Sequence, residues 1–214
     1  MTEATVDPLA DPATGAREGR KAANRAKLLT AARKVFAQKG LGAATARDIV
    51  RETDLASGTF YNYFDSKEAV FAALIAELTE KARGRVREQR RARDLSVEER
   101  VEAAYRAYFE LVLEERELFD VVRRNAGVVA AMADRDWFAG GERELLEDLI
   151  DWARAGEVPD VDLVLLAQAM FGAGVHVALH LVDQPAPDVP ATARFCARLF
   201  LGGVRALAQP APPE

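Results

Sequence analysis

No proline interrupts the chain between Pro12 and Pro159, and this long gap constrains the fold more than any other feature. Proline in a helix interior removes a hydrogen bond, clashes with the preceding turn and costs about 3 kcal/mol. A proline-free stretch dominated by Ala, Leu, Glu and Arg therefore reads as a series of helices punctuated by glycine. Half of the 214 residues are hydrophobic, so a real core is within reach. The expected fold class is all-α. Residues 1–20 are acidic and Pro/Ala-rich, lack the apolar run of a secretory leader, and are expected to form a disordered tail. The single cysteine, Cys196, excludes an internal disulfide and points to a reducing, cytoplasmic compartment.

The net charge of −5 speaks against a polyanionic partner until it is divided along the chain. Residues 1–93 carry 18 Lys and Arg against 12 Asp and Glu, whereas residues 94–214 carry 11 against 22. Every lysine lies in the first group. Such asymmetry fits a chain whose first part meets a polyanion and whose second part does not, although two solvated surfaces give the same split.

The first helical pattern runs from Asn24 to Gly40, with Leu28, Leu29, Ala32, Val35 and Phe36 on one face and Gly40 as the stop signal. Thr45 is an N-cap for a short helix, Ala46 to Arg51, with Ile49 and Val50 inward. A tight turn follows at Glu52–Leu55, where Asp54 suits the left-handed conformation. Ser57 is expected to cap a third short helix through Tyr63. Asp65 or Ser66 caps a fourth helix, from Lys67 to about Arg91. Two short helices joined by a tight turn match the helix-turn-helix unit, whose second helix enters the DNA major groove. On that reading Phe60 and Phe64 turn into the small core. Thr59, Tyr61, Asn62 and Tyr63 turn outward, where hydroxyls and an amide bond phosphates or bases.

At TARDIVRETDLASGTFYNYFDSKEAVF the chain resembles the TetR family of transcriptional regulators. Thr45, Arg47-Asp48-Ile49, Gly58-Thr59-Phe60-Tyr61, Tyr63-Phe64 and Ser66-Lys67-Glu68 carry the resemblance, within a matching stretch from Leu28 to Ile75. It implies an N-terminal three-helix DNA-binding domain with a helix-turn-helix, and a C-terminal helical domain for ligand binding and dimerisation. The expected boundaries are a helix-turn-helix domain at 21–66, a connecting helix at 67–93 and a ligand and dimer domain at 94–209. The resemblance assigns Thr45, Tyr63 and Lys67 to the DNA backbone, and Arg47, Gly58, Thr59, Tyr61 and Asn62 to the groove. Arg47 paired with a surface carboxylate is the plainer alternative. The chain departs from the family pattern at Asp54, Ala56 and Ser57. Ser57 belongs to the DNA-facing set, but the lysine or arginine usual there is missing, which removes a phosphate contact. Arg17, Arg20, Lys21, Arg25 and Lys27 form either a minor-groove arm or a solvated face. The six arginines between Arg83 and Asp94 are read as complementing the helix dipole.

In the acidic half, Ser96 with Glu99 three residues on is a capping box. Helical segments follow, split by Gly140-Gly141, by 156–159 and by 184–190. Residues 161–182 are apolar for long enough to cross a bilayer but lack a basic flank, so they are read as a helix buried on nearly all sides. Gly172 and Gly174 would permit close helix approach. By resemblance, helices at about 161–183 and 190–207 form a dimer interface through Leu166, Met170, Gly174, Leu181, Phe195, Leu199 and Phe200. His176 and His180 have metal-ligand spacing, yet no other ligand stands near them, so they are assigned to a pocket or interface and no metal is expected. Phe109, Leu113, Phe119, Val122, Met132, Trp137, Phe138, Trp152, Met170, Phe171 and His176 are candidates for an apolar effector cavity; plain core is the alternative for each. The segments RELFDVVRRNAG and ELLEDLIDWARAG resemble the branch of the family that senses acyl-CoA and controls fatty-acid desaturation. That resemblance implies that Arg123, Arg124, Arg135 and Arg143 meet an anionic head group; without it, an apolar or cationic effector is expected.

The chain has no Gly-rich phosphate loop, no metal cluster and no Ser or Cys beside a His, so neither catalysis nor a cofactor is expected. The expected function is a dimeric DNA-binding repressor, with a double-stranded operator, a second copy of itself and a small effector as partners, and no membrane. The alternative is a helical protein-binding module without sequence-specific DNA contact. The log-log salt slope of DNA binding, near −0.9 per phosphate contact, separates the two.

Overall fold

The computed structural model describes residues 12–125, 127–128, 139–159 and 161–207. Among them all regular structure is helical. The elements are α1 (Pro12–Ala43), α2 (Ala46–Arg51), a 3-10 helix (Ser57–Asn62), α3 (Lys67–Arg90), α4 (Val97–Glu114), α5 (Arg116–Arg124), α6 (Ala139–Arg154), α7 (Leu163–Asp183) and α8 (Val189–Leu207). The chain divides into two compact units, Met1–Leu74 and Ile75–Glu214, and α3 contributes to both.

α1 starts earlier than the sequence suggests. The stretch from Pro12 is helical, so the expected tail of 20 residues is corrected there; residues 1–11 lie outside the described set. Proline fits the first turn, where its missing N–H is an orphan anyway, and the Ala/Arg/Glu/Lys run behind it favours helix. Gly40 breaks the helix at φ 75°, which only glycine adopts without strain.

In the first unit, Leu28, Ala32, Val35 and Phe36 of α1 close over Ile49, Phe60, Val70 and Phe71. Phe36 and Phe71 meet edge to face at 5.8 Å, and Phe60 and Phe64 lie 6.1 Å apart. Burying a phenylalanine fully stabilises by about 1.5–3 kcal/mol, so this small core rests largely on its aromatic residues.

In the second unit α4 packs against both α7 and α8, and α6 packs on α7. Phe109, Leu149, Met170, Ala178, Leu181, Ala193, Ala197 and Leu201 belong to the shared core. The Ser96 capping box forms as expected. Gly140 and Gly141 do not separate helices; they lie in the first turn of α6. A Cβ at Gly141 would stand 2.9 Å from the Phe171 ring, and one at Gly140 would stand 3.1 Å from the Arg83 guanidinium. Close packing, not chain breaking, explains both glycines.

Its own chain buries α7 along one face. Ala167, Met170, Gly174, Ala178, Leu181 and Val182 are its buried residues, and Val164 and Leu165 are more than half exposed. Met170, Gly174 and Leu181 are consumed by the core of their own chain, which corrects their assignment to a dimer interface. Gly174 allows Tyr105 to approach, while a side chain at Gly172 would meet open space. The Gly174→Val substitution would place its Cβ 3.0 Å from the Tyr105 ring. It is expected to cost about 1–3 kcal/mol, seen as a lower urea midpoint with an unchanged slope.

Candidate nucleic-acid interface and effector cavity

The first unit presents its recognition segment through a network of short-range contacts. Thr45 Oγ1 accepts from the Asp48 N–H (3.1 Å), and Asp48 accepts from the Thr45 N–H (3.1 Å). Lys39 Nζ donates to the same carboxylate at 2.7 Å. The bonds from Lys39 and Thr45 hold the Asp48 carboxyl at about 2, below its ordinary 3.8. A depressed pKa stabilises the fold above the ordinary value, and that contribution is lost as pH falls through the folded one. Asp48→Asn should therefore melt lower than the parent at pH 7, and the gap should close between about pH 4 and pH 2 in a series of thermal melts followed by circular dichroism.

The turn after α2 differs from expectation. Asp54 does not adopt a left-handed conformation; no non-glycine residue among those described does. Its carboxylate instead accepts from Lys27 Nζ at 2.8 and 2.9 Å, which ties α1 to the turn. Lys34 makes a similar tie to Glu52 at 2.6 Å. Ala56, not Ser57, occupies the N-cap of the next element, without a side-chain bond, and that element is a 3-10 helix.

Within it Phe60 is fully buried and Tyr61 is 65% exposed. Asn62 and Gly58 are exposed, and Thr59 is half-buried. Arg47 is exposed on α2, and no carboxylate lies within ion-pair distance of it among the described residues, which disfavours the surface-pair reading. Tyr63 Oη accepts from Asn24 Nδ2 at 3.3 Å. Lys67 Nζ donates to the carbonyls of Gly42 (2.8 Å) and Ala44 (3.0 Å), so it anchors the loop before α2. Ser66 caps α3 by accepting from the Ala69 N–H.

The second unit contains a cavity of about 150 Å³. α3 lines it with Ile75, Leu78, Thr79, Ala82, Arg83, Val86 and Arg90; α4 adds Val101, Ala104, Tyr105 and Tyr108. Phe119, Val122, Gly141, Glu144, Leu145, Met170, Phe171, Gly174 and Val175 complete the wall. Of the sequence candidates, Phe119, Val122, Met170 and Phe171 line it. Phe109, Leu113 and Trp152 do not: Phe109 is in the core, Leu113 packs on it, and Trp152 is covered by the Arg100 guanidinium at 5.0 Å. His176 is exposed and bonds the Gly172 carbonyl at 3.1 Å, away from the cavity wall. Arg123 pairs with Asp120 (2.8 Å) and Asp183 (3.4 Å), Arg124 pairs with Asp120, and Arg143 is exposed; none lines the cavity. Met132, Arg135, Trp137 and Phe138 lie outside the described residues.

The charged groups at the wall are ones the sequence reading assigned to the helix dipole. Arg83, Arg87 and Arg90 follow i, i+4, i+7 spacing on one face of α3 and converge on α6. Arg83 donates to Glu144 through Nε (3.1 Å) and Nη2, and to Glu80 at 3.0 Å. Arg87 donates to Glu144 at 2.7 and 3.2 Å. Arg90, only 6% exposed, donates to Asp148 at 2.5 Å, with Glu144 at 3.8 Å. Burial pushes the Glu144 carboxyl up, but the bonds from Arg87 and Arg83 outweigh it and hold the group below its ordinary value. Tyr105 donates to the Met170 carbonyl at 2.9 Å. The phenol of Tyr108, next to the cavity, is pushed up to about 12 by burial.

Residues 28–74, most of the first unit, match the model of bacterial regulatory proteins of the tetR family. The transcriptional regulator UidR of Escherichia coli K12 is 27% identical over 186 residues, which span 84% of this chain and 92% of the relative. Residues 28–74 form a DNA-binding domain of the TetR family. Over most of its length the chain is similar to DNA-binding transcriptional regulators. The transcriptional repressor KstR2 of Rhodococcus jostii is 36% identical over 81 residues, 38% of this chain and 37% of the relative. The fold recurs in the fatty acid degradation regulator FadR of Bacillus halodurans, with a TM-score of 0.71, 24% identity and coverage of 85% of this chain and 96% of that one. It recurs also in FadR of Bacillus subtilis, solved in complex with stearoyl-CoA, with a TM-score of 0.70, 21% identity and coverage of 83% and 98%.

Proposed function

We propose that this TetR-family regulator is a homodimeric repressor in the bacterial cytoplasm, and that a small apolar or amphipathic effector in the cavity of the second unit releases it from its operator. One observation carries the reading. The same helix, α3, supplies Val70, Phe71 and Leu74 to the core beside the recognition segment and Ile75, Leu78 and Ala82 to the cavity wall. An occupant that favours one position of α3 must change the equilibrium of DNA binding, and by reciprocity DNA must change the occupant's affinity by the same factor.

Arg47, Gly58, Thr59, Tyr61 and Asn62 are the proposed groove residues; Thr45, Tyr63 and Lys67 are the proposed backbone set, with Ser57 also in the DNA-facing set. Of these, Tyr61, Asn62 and Arg47 have the most surface to give, because Thr45 and Lys67 already hold bonds within the chain. The proposed dimer face is the apolar surface left on the last two helices. Phe195 (63% exposed) and Leu199 (55%) on α8 lie on it, with Leu165 on α7. Isolated exposed apolar residues are ordinary, but three large ones on the last two helices support a proposed interaction surface there. Leu166 and Phe200 are half-buried at its edge. The name of KstR2 supports the repressor sign, and the stearoyl-CoA complex of the Bacillus subtilis FadR supports an effector with an apolar chain.

Native mass spectrometry of the purified protein tests this. The expected result is a dimer that releases a small molecule with substantial apolar character on mild denaturation. A protein that stays monomeric at micromolar concentration would refute the dimer and, with it, the two-fold operator.

A further inference from the structure

The cavity's polar inventory is short, and its charges are already spent. Arg83 holds Glu80 and Glu144, and Arg90 holds Asp148 with Glu144 close by. An anionic ligand would have to displace Glu144 from these arginines while standing beside its charge; a cationic one would face Arg83 and Arg90. Either breaks a cluster of partly buried ion pairs, which is the costly way to disturb one. Two lining groups remain without a hydrogen-bond partner among the described residues, the hydroxyls of Thr79 and Tyr108. Tyr108 is half-buried at the cavity wall, and a hydroxyl without a protein partner there favours an occupant that supplies one. Its neighbour Tyr105 differs in this respect, because its hydroxyl is satisfied by the Met170 carbonyl. The remaining wall is apolar, and a cavity of about 150 Å³ admits a body the size of benzene.

We infer that the effector's buried part is uncharged, about the size of one aromatic ring or a short acyl chain, and carries an oxygen acceptor that takes a hydrogen bond from Tyr108. Tyr108 is then the specificity-determining residue of the cavity. This rests on the cavity being the effector site. It separates an ester, thioester or ketone oxygen inside the cavity from a carboxylate head group there.

The test is calorimetric titration of the full-length protein with four probes: toluene, methyl benzoate, benzoate and benzoyl-CoA. Methyl benzoate is expected to bind about 5- to 10-fold tighter than toluene, the value of one neutral hydrogen bond, and at least about 10-fold tighter than benzoate. Tyr108→Phe, which keeps the ring, should abolish the preference for the ester over toluene and leave toluene binding unchanged. Benzoate binding more tightly than the ester or benzoyl-CoA would overturn the inference, as would an ester preference that survives Tyr108→Phe. If no probe binds, toluene included, the cavity is not the effector site, and the proposed function falls together with the inference.

Discussion

Replacing Tyr61 and Asn62 together by alanine is expected to weaken operator binding by at least about 30-fold while leaving the fold intact. Each well-placed side chain contact to a base is worth about 1–3 kcal/mol of discrimination, so the pair accounts for about 2–6 kcal/mol. Tyr61 is 65% exposed and makes an edge contact to Phe60 at 5.3 Å, so its loss costs the fold little. Fluorescence anisotropy on operator DNA, paired with a thermal melt, reads both quantities. A variant that melts like the parent and still binds its operator fully would remove these residues from the interface. Phe60→Ala is the contrasting case: it empties a fully buried position, so binding and folding should be lost together.

Removal of the Glu144 carboxylate should have the largest effect in the second unit. Glu144→Ala leaves Arg83 and Arg87 without their main acceptor and Arg90 with Asp148 alone. Deleting one partner of a fully buried ion pair costs about 3–5 kcal/mol. Arg83 and Arg87 retain about a third of their side-chain exposure, and water screens them, so about 2–3 kcal/mol is the expected loss. Glu144→Gln should recover part of it, because an amide oxygen still accepts from a guanidinium. Urea denaturation with the two variants side by side measures the difference. Equal stability of Glu144→Ala and the parent would show that the cluster is a solvated surface feature.

The recognition unit was legible in the sequence because its signals are local. A cap at Thr45, the Phe60 and Phe64 spacing and the break at Gly40 each act within a few residues, and all three appear in the structure. The third element was harder, since a six-residue segment held by core aromatics has no periodicity to separate an α-helix from a 3-10 helix. The cavity was only partly legible. Tyr108 and Phe109 are neighbours on α4, yet one lines the cavity and the other is sealed in the core. A helix that is apolar on several faces carries no phase information by which to tell them apart. The arginine cluster depends on Glu144, some 60 residues distant, and no local pattern announces such a partner. α7 was legible as apolar, but an apolar surface looks the same in sequence whether its own chain or a second copy covers it.

Selection from a random-sequence duplex library by the purified protein tests sequence-specific DNA binding by the first unit. The expected result is enrichment of one two-fold symmetric site, loss of that enrichment in the Tyr61→Ala, Asn62→Ala double variant, and log affinity for the site that falls linearly with log salt. A library that emerges from repeated rounds without an enriched site, or a symmetric site still enriched by the double variant, would contradict it.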